Sequence, residues 1–129
     1  MNSLTCRFLL SVCFAFTFGL PCSAETTILI VRHAEKKSGD GNVALAEEGL
    51  VRARELAQFS KSLRVSSVYS TDTLRSRLTA QPSVSTSAIK IYQQPTRDWC
   101  NQVLLENDGK VVLIVGHSNT VPMLSLIHI

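Results

Sequence analysis

The chain has 129 residues, a length at which one domain is expected. Its 13 Lys and Arg against 10 Asp and Glu give a mild positive charge, which argues against nucleic acid or an anionic membrane surface as a partner. The sequence beyond the N-terminal segment has no internal repeats and no low-complexity tracts, so we expect it to fold as a single globular unit.

The first 24 residues have the three-part layout of a secretory signal peptide. Arg7 precedes an uninterrupted run of apolar and small residues over 8–20, and small residues at the −3 and −1 positions favour cleavage after Ala24. A membrane anchor is the alternative, but this run is shorter than the roughly 20 residues that span a bilayer. We therefore expect residues 1–24 to be removed and residues 25–129 to form the mature domain. The protein is then expected to be secreted or periplasmic, without stable membrane association.

Cleavage after Ala24 leaves only Cys100 of the four cysteines in the mature chain. A single cysteine cannot form an internal disulfide, so we expect Cys100 to pack as a small apolar side chain. The same cleavage removes Arg7 and no other charged residue, so the mature net charge is +2. The positions of the cations therefore carry more functional information than their number.

The first predicted strand covers residues 27–31 and leads directly into Arg32-His33. Its run of β-branched and aliphatic residues predicts a strand buried on both faces, as in the interior of a parallel sheet. Residues 37–43 are rich in Gly, Asp, Asn and Ser and predict a loop. Apolar residues at steps of three and four over 45–63 then predict the first helix.

Strands and helices continue to alternate along the rest of the chain. Ser70, Thr71 or Asp72 is expected to cap the second helix. The alternation predicts an α/β fold with a mostly parallel sheet flanked by helices. The last helix runs for only a few residues before Ile129, so we expect the chain to be incomplete at its C-terminus. Further strands are predicted over 65–69, 88–92 and 111–115, and further helices after Asp72, at Pro95-Thr96 and after Gly116-His117.

Four side chains suited to binding phosphate follow the ends of predicted parallel strands. Because ligands bind at the carboxyl ends of such strands, we expect these side chains to converge on one edge of the sheet. Guanidinium groups match phosphate oxygens with paired N–H donors, and a neutral imidazole can attack phosphorus. Each side chain alone has an ordinary structural explanation, so the prediction of a phosphate site depends on their order. Arg32 and His33 follow the first strand, Arg75 lies in the first helical turn after the second, and His117 follows the fourth.

Four ordered motifs resemble those of the histidine phosphatase superfamily, which has the phosphoglycerate-mutase-like fold. They are Arg32-His33-Ala34-Glu35-Lys36; Glu47-Glu48-Gly49 with Arg52-Ala53; Tyr69-Ser70-Thr71-Asp72 with Arg75 and Thr79-Ala80; and Gly116-His117-Ser118-Asn119-Thr120-Val121-Pro122. The resemblance implies that His33 is the nucleophile that becomes phosphorylated. It implies that Arg32, Arg75 and His117 bind the phosphoryl group. We also expect substrate contacts from Glu35, Ser118 and Asn119.

The resemblance and the predicted signal peptide together imply an exported phosphomonoesterase that acts through a phosphohistidine intermediate on a small phosphate ester or a phosphorylated protein. A phosphoglycerate-mutase-type phosphotransferase and a non-catalytic phosphate-binding module are the alternatives. We expect no cofactor and no metal, because no cluster has metal-ligand spacing and His128 stands alone. The sequence carries no signal for the oligomeric state.

The general acid that protonates the leaving group is open among four carboxylates. Glu35 is nearest to His33 along the chain, while Asp72 is favoured as a helix cap. Asp98 and Glu106 are expected on the solvated face of their helix.

Overall fold

The computed structural model describes residues 24–84 and 88–127, so the predicted signal peptide up to residue 23 and His128 lie outside the described residues. Strands and helices alternate along the described chain, as predicted, with a short 3₁₀ helix at Gln81–Ser83. The strands are β1 (Thr27–Arg32), β2 (Ser67–Thr71), β3 (Lys90–Tyr92) and β4 (Val111–Gly116). The helices are α1 (Glu47–Ser62), α2 (Leu74–Ala80), α3 (Arg97–Glu106) and α4 (Thr120–Ile127).

The four described strands form one parallel sheet in the order β1-β4-β2-β3. Along β4, Val112 and Ile114 pack in a core with side chains of α3 and α4, whereas Leu113 and Val115 pack in a second core with side chains of α1 and α2. Helices therefore cover both faces of the sheet, and the predicted α/β class is confirmed.

The prediction that β1 is buried on both faces is wrong. Its residues are half-buried or exposed, because β1 lies at an edge of the described sheet and pairs with β4 alone. The strand that is buried along nearly its whole length is β4, whose residues from Val112 to Gly116 are all buried. A purely aliphatic run is therefore compatible with an edge position as well as a central one.

The boundaries after β2 differ from the predicted ones. This strand ends at Thr71, two residues later than expected, and Thr73 caps α2 by accepting a hydrogen bond from the Ser76 N–H. The expectation that Ser70, Thr71 or Asp72 provides this cap is therefore wrong. The helix predicted to open at Pro95-Thr96 is α3, and the Thr96 side chain caps it by accepting a hydrogen bond from the Trp99 N–H.

The backbone that follows β1 is held against the start of α1. The Glu35 carbonyl accepts a hydrogen bond from the Ala46 N–H at 2.9 Å. Gly49 lies so close to this carbonyl that a Cβ at that position would overlap it. Glycine at this point of α1 therefore allows the helix to pack on the segment that follows His33.

Within the described residues, no helix has the length and hydropathy needed to cross a membrane.

Candidate active site

Two histidines are adjacent at the carboxyl edge of the sheet because β1 and β4 are parallel neighbours in register. Arg32 pairs with Gly116 in this register, and the next N–H, that of His33, donates to the Gly116 carbonyl at 2.9 Å. The His33 and His117 rings follow with their centroids 5.3 Å apart. The sheet thus brings together two residues that are far apart in sequence, as the strand-end argument predicts.

The ring of His33 has one nitrogen engaged by the backbone. Its Nδ1 lies 2.8 Å from the carbonyl oxygen of Ala34. A carbonyl oxygen can only accept, so Nδ1 carries the proton and donates this hydrogen bond. In the neutral ring, the lone pair is then on Nε2. The bond consequently selects the tautomer in which Nε2 can act as a nucleophile.

The surroundings of both histidines favour neutral rings. The pKa of His33 is lowered, first by burial and then by the positive charges of Arg75, Arg32 and Lys36, against the opposing effect of the Ala34 hydrogen bond. Burial and the charges of Arg75, His33 and Arg32 also lower the pKa of His117. Neutral imidazole therefore predominates in both rings at pH 7.

A single hydroxyl links the nucleophile segment to the helix that carries Arg75. The Ala34 N–H donates to Thr79 Oγ1 at 2.9 Å, and this hydroxyl donates to the Arg75 carbonyl at 2.8 Å. Thr79 is buried and joins two parts of the site that sequence reasoning had assigned separately. In the sequence, Thr79 stands one helical turn after Arg75 and within a motif that resembles the histidine phosphatase superfamily.

The guanidinium of Arg75 is partly free of partners. Its Nη1 approaches the Gly41 carbonyl at 3.4 Å, while its Nε is buried without a hydrogen-bond partner among the described residues. The loop that contains Gly41 is itself attached to α2, because Asn42 Oδ1 accepts from the Leu74 N–H at 2.6 Å. An unsatisfied buried N–H on a cation is costly and suits an anionic partner.

His117 is positioned by two threonines. Its ring Nε2 lies 2.9 Å from Thr71 Oγ1, and its backbone N–H donates to Thr120 Oγ1 at 2.7 Å. The sequence offers Thr71 as one of three candidate helix caps and as part of a family-like motif, whereas in the structure its hydroxyl contacts the second histidine. Because a hydroxyl both donates and accepts, this contact is compatible with either tautomer of His117.

Two recesses flank the histidine pair. The first, the Glu35 hollow, is lined by Arg32, His33, Glu35, Lys36 and Arg52. The second, the His117 cleft, is an open recess of about 480 Å³ whose polar lining includes Thr71, Asp72, Gln93, Gln94, His117 and Asn119. Of the three predicted substrate contacts, Glu35 and Asn119 line these recesses, and Ser118 is exposed beside Asn119.

Arg52 is an exposed cation of α1 whose Nη1 forms an ion pair with the Glu35 carboxylate. Glu35 is thereby engaged by a cation of α1.

Within residues 24–84 and 88–127, no group of three or more His, Cys, Asp or Glu could hold a metal ion.

The model of the histidine phosphatase superfamily (branch 1) matches residues 28–97, which is more than half of the chain. The chain belongs to the histidine phosphatase superfamily. The matched segment contains Arg32, His33 and Arg75, whereas His117 lies beyond it and joins them through the pairing of β4 with β1. A search of curated proteins gave no match.

Two solved structures of phosphatases share this fold at low sequence identity. The protein histidine phosphatase SixA complexed with tungstate has a TM-score of 0.65 at 17% identity, and the alignment covers 76% of this chain and 73% of that one. A phosphoserine phosphatase variant from Entamoeba histolytica in complex with phosphoserine has a TM-score of 0.63 at 15% identity, covering 80% and 79%. At these identities the likeness shows a shared fold, consistent with the superfamily assignment.

We expect Arg75→Gln to raise the pKa of both His33 and His117, because it removes a positive charge that disfavours the two imidazolium forms. Titration of the imidazole resonances by NMR measures both values, with Arg54→Gln on the exposed face of α1 as the matched control. Unchanged pKa values in Arg75→Gln would contradict the arrangement in which one guanidinium acts on both rings.

Proposed function

We propose that the protein is an exported, metal-independent phosphomonoesterase that works through a phosphohistidine on His33. The observation that carries the proposal is the His33 ring, whose Nδ1 is bound to the Ala34 carbonyl while its lowered pKa keeps Nε2 unprotonated. A free imidazole nitrogen of this kind is a competent nucleophile towards phosphorus. Membership of a phosphatase superfamily supports the same reaction.

In the first step, the Nε2 lone pair of His33 forms a bond to phosphorus while the ester P–O bond breaks. Negative charge is spread over the equatorial phosphoryl oxygens in the transition state. In our proposal this charge is stabilised by Arg32, Arg75 and His117. The Nε–H of Arg75, which has no hydrogen-bond partner among the described residues, supports this role. Water then hydrolyses the phosphohistidine and restores the ring.

The substrate is proposed to be a small phosphate ester or a phosphorylated protein, contacted by Glu35, Ser118 and Asn119. The His117 cleft, at about 480 Å³ and open to solvent, is larger than a phosphoryl group and has room for the leaving group. The structural relatives are consistent with both kinds of substrate, since one is named a protein histidine phosphatase and another is bound to phosphoserine. Export argues against a mutase, because the substrates of glycolysis are cytoplasmic.

We expect His33→Ala to lower kcat for p-nitrophenyl phosphate by at least about 10³-fold, because it removes the nucleophile of covalent catalysis. The assay is run with a chelator present, and activity of the unsubstituted protein is expected to persist. Asn101→Ala, on the exposed face of α3, is the matched control, and circular dichroism checks the fold of both variants.

Two results would count against this function. Undiminished turnover in a folded His33→Ala variant would exclude the phosphohistidine. A folded, unsubstituted protein that binds vanadate but hydrolyses no ester would instead be a phosphate-binding module.

We also propose that residues 1–24 are a cleaved signal peptide and that the mature protein is secreted or periplasmic. The support is the layout of this segment in the sequence, which lies almost entirely outside the described residues. N-terminal sequencing of the protein recovered from the periplasm or medium of an expressing bacterium is expected to begin at Glu25. Export would be contradicted if the protein were recovered only from the cytoplasm and still retained residue 1.

A further inference from the structure

The carboxylate of Asp72 has no capping role in the structure. Thr73 supplies the cap of α2, so Asp72 lies between the end of β2 and the cap with its side chain exposed. Its one ion-pair partner among the described residues is Arg77, at 3.3 Å, in a pair whose side chains are 56% and 68% exposed. Pairs as exposed as this contribute little, so they leave the carboxylate available for other contacts.

Asp72 lines the same cleft as His117. Among the described residues that line the His117 cleft, it supplies the only carboxylate. The amides of Gln93, Gln94 and Asn119 have no proton that they can give up as an acid. Tyr92 also lines the cleft, but it is buried, its hydroxyl is 3.3 Å from the Val115 carbonyl, and burial raises its pKa.

The competing carboxylate, Glu35, lines the Glu35 hollow together with His33, and it forms an ion pair with Arg52. Its pKa is lowered, first by a hydrogen bond from its own backbone N–H and further by Arg52, so the ionised form is favoured. A group that must deliver a proton to a leaving oxygen has to be protonated first, and these contacts oppose that state at Glu35.

We propose that Asp72 is the general acid and base of the reaction, an inference that rests on the proposed phosphatase function. As His33 Nε2 bonds to phosphorus, the ester P–O bond breaks and its electron pair goes to the leaving oxygen. That oxygen takes the proton of the Asp72 carboxyl group and departs as an alcohol. In the second step the Asp72 carboxylate accepts a proton from the attacking water, the N–P bond breaks with its electrons returning to His33, and inorganic phosphate is released.

The leaving group decides how much this proton transfer matters, so two esters test it. An alkyl ester such as glycerol phosphate needs a proton on its leaving oxygen, whereas 2,4-dinitrophenyl phosphate has a leaving group that is stable as an anion. We expect Asp72→Asn to lower kcat/KM for glycerol phosphate by about 10²–10⁴-fold, the usual contribution of general acid catalysis. The same variant is expected to leave kcat/KM for dinitrophenyl phosphate nearly unchanged, because kcat/KM reports the first step and this leaving group departs without a proton.

Asp98→Asn is the matched control, since Asp98 is an exposed carboxylate in the first turn of α3 that does not line the cleft. Glu35→Gln gives the competing arm of the experiment. Equal losses on both esters in Asp72→Asn, or a loss selective for glycerol phosphate in Glu35→Gln alone, would overturn the inference while leaving the phosphatase function intact. If the unsubstituted protein hydrolyses neither ester, the proposed function fails and the inference fails with it.

Discussion

The hydrogen bond from His33 Nδ1 to the Ala34 carbonyl is the constraint on which the site depends. It fixes the proton on the nitrogen that faces the backbone and leaves Nε2 with its lone pair. Burial and the nearby guanidinium groups act in the same direction, because they lower the pKa of the ring and keep it neutral. The cations that are suited to binding the phosphoryl group therefore also keep the His33 imidazole, which attacks that group, unprotonated.

This hydrogen bond requires that its acceptor, the Ala34 carbonyl, is held in place. The segment after β1 is attached at three points: His33 N–H to the Gly116 carbonyl, Ala34 N–H to Thr79 Oγ1, and the Glu35 carbonyl to the Ala46 N–H. These contacts come from β4, α2 and the start of α1. The position of the imidazole thus depends on the packing of three elements rather than on its own loop, which is how a rigid scaffold preorganises a reacting group.

Local patterns in the sequence predict the alternation of strands and helices. The convergence of the two histidines could then be predicted, because the carboxyl ends of parallel strands meet at one edge of the sheet. The edge position of β1 could not, since an aliphatic run does not identify the neighbours of a strand. Thr71 and Thr79 stand in motifs that resemble the superfamily, but their contacts could not be predicted, because their hydroxyls contact groups 46 and 45 residues away along the chain. A two-residue shift in the end of β2 was enough to transfer the helix cap from Asp72 to Thr73.

The central claim is that His33 carries the phosphoryl group between the two steps. Rapid mixing with a labelled phosphate ester, quenching in alkali and mass spectrometry of the peptides would test it most directly. The account predicts an acid-labile, alkali-stable phosphoryl group on His33 that forms and decays at least as fast as turnover. Steady release of phosphate without any labelled protein, or a label on His117 or on a hydroxyl side chain, would contradict it.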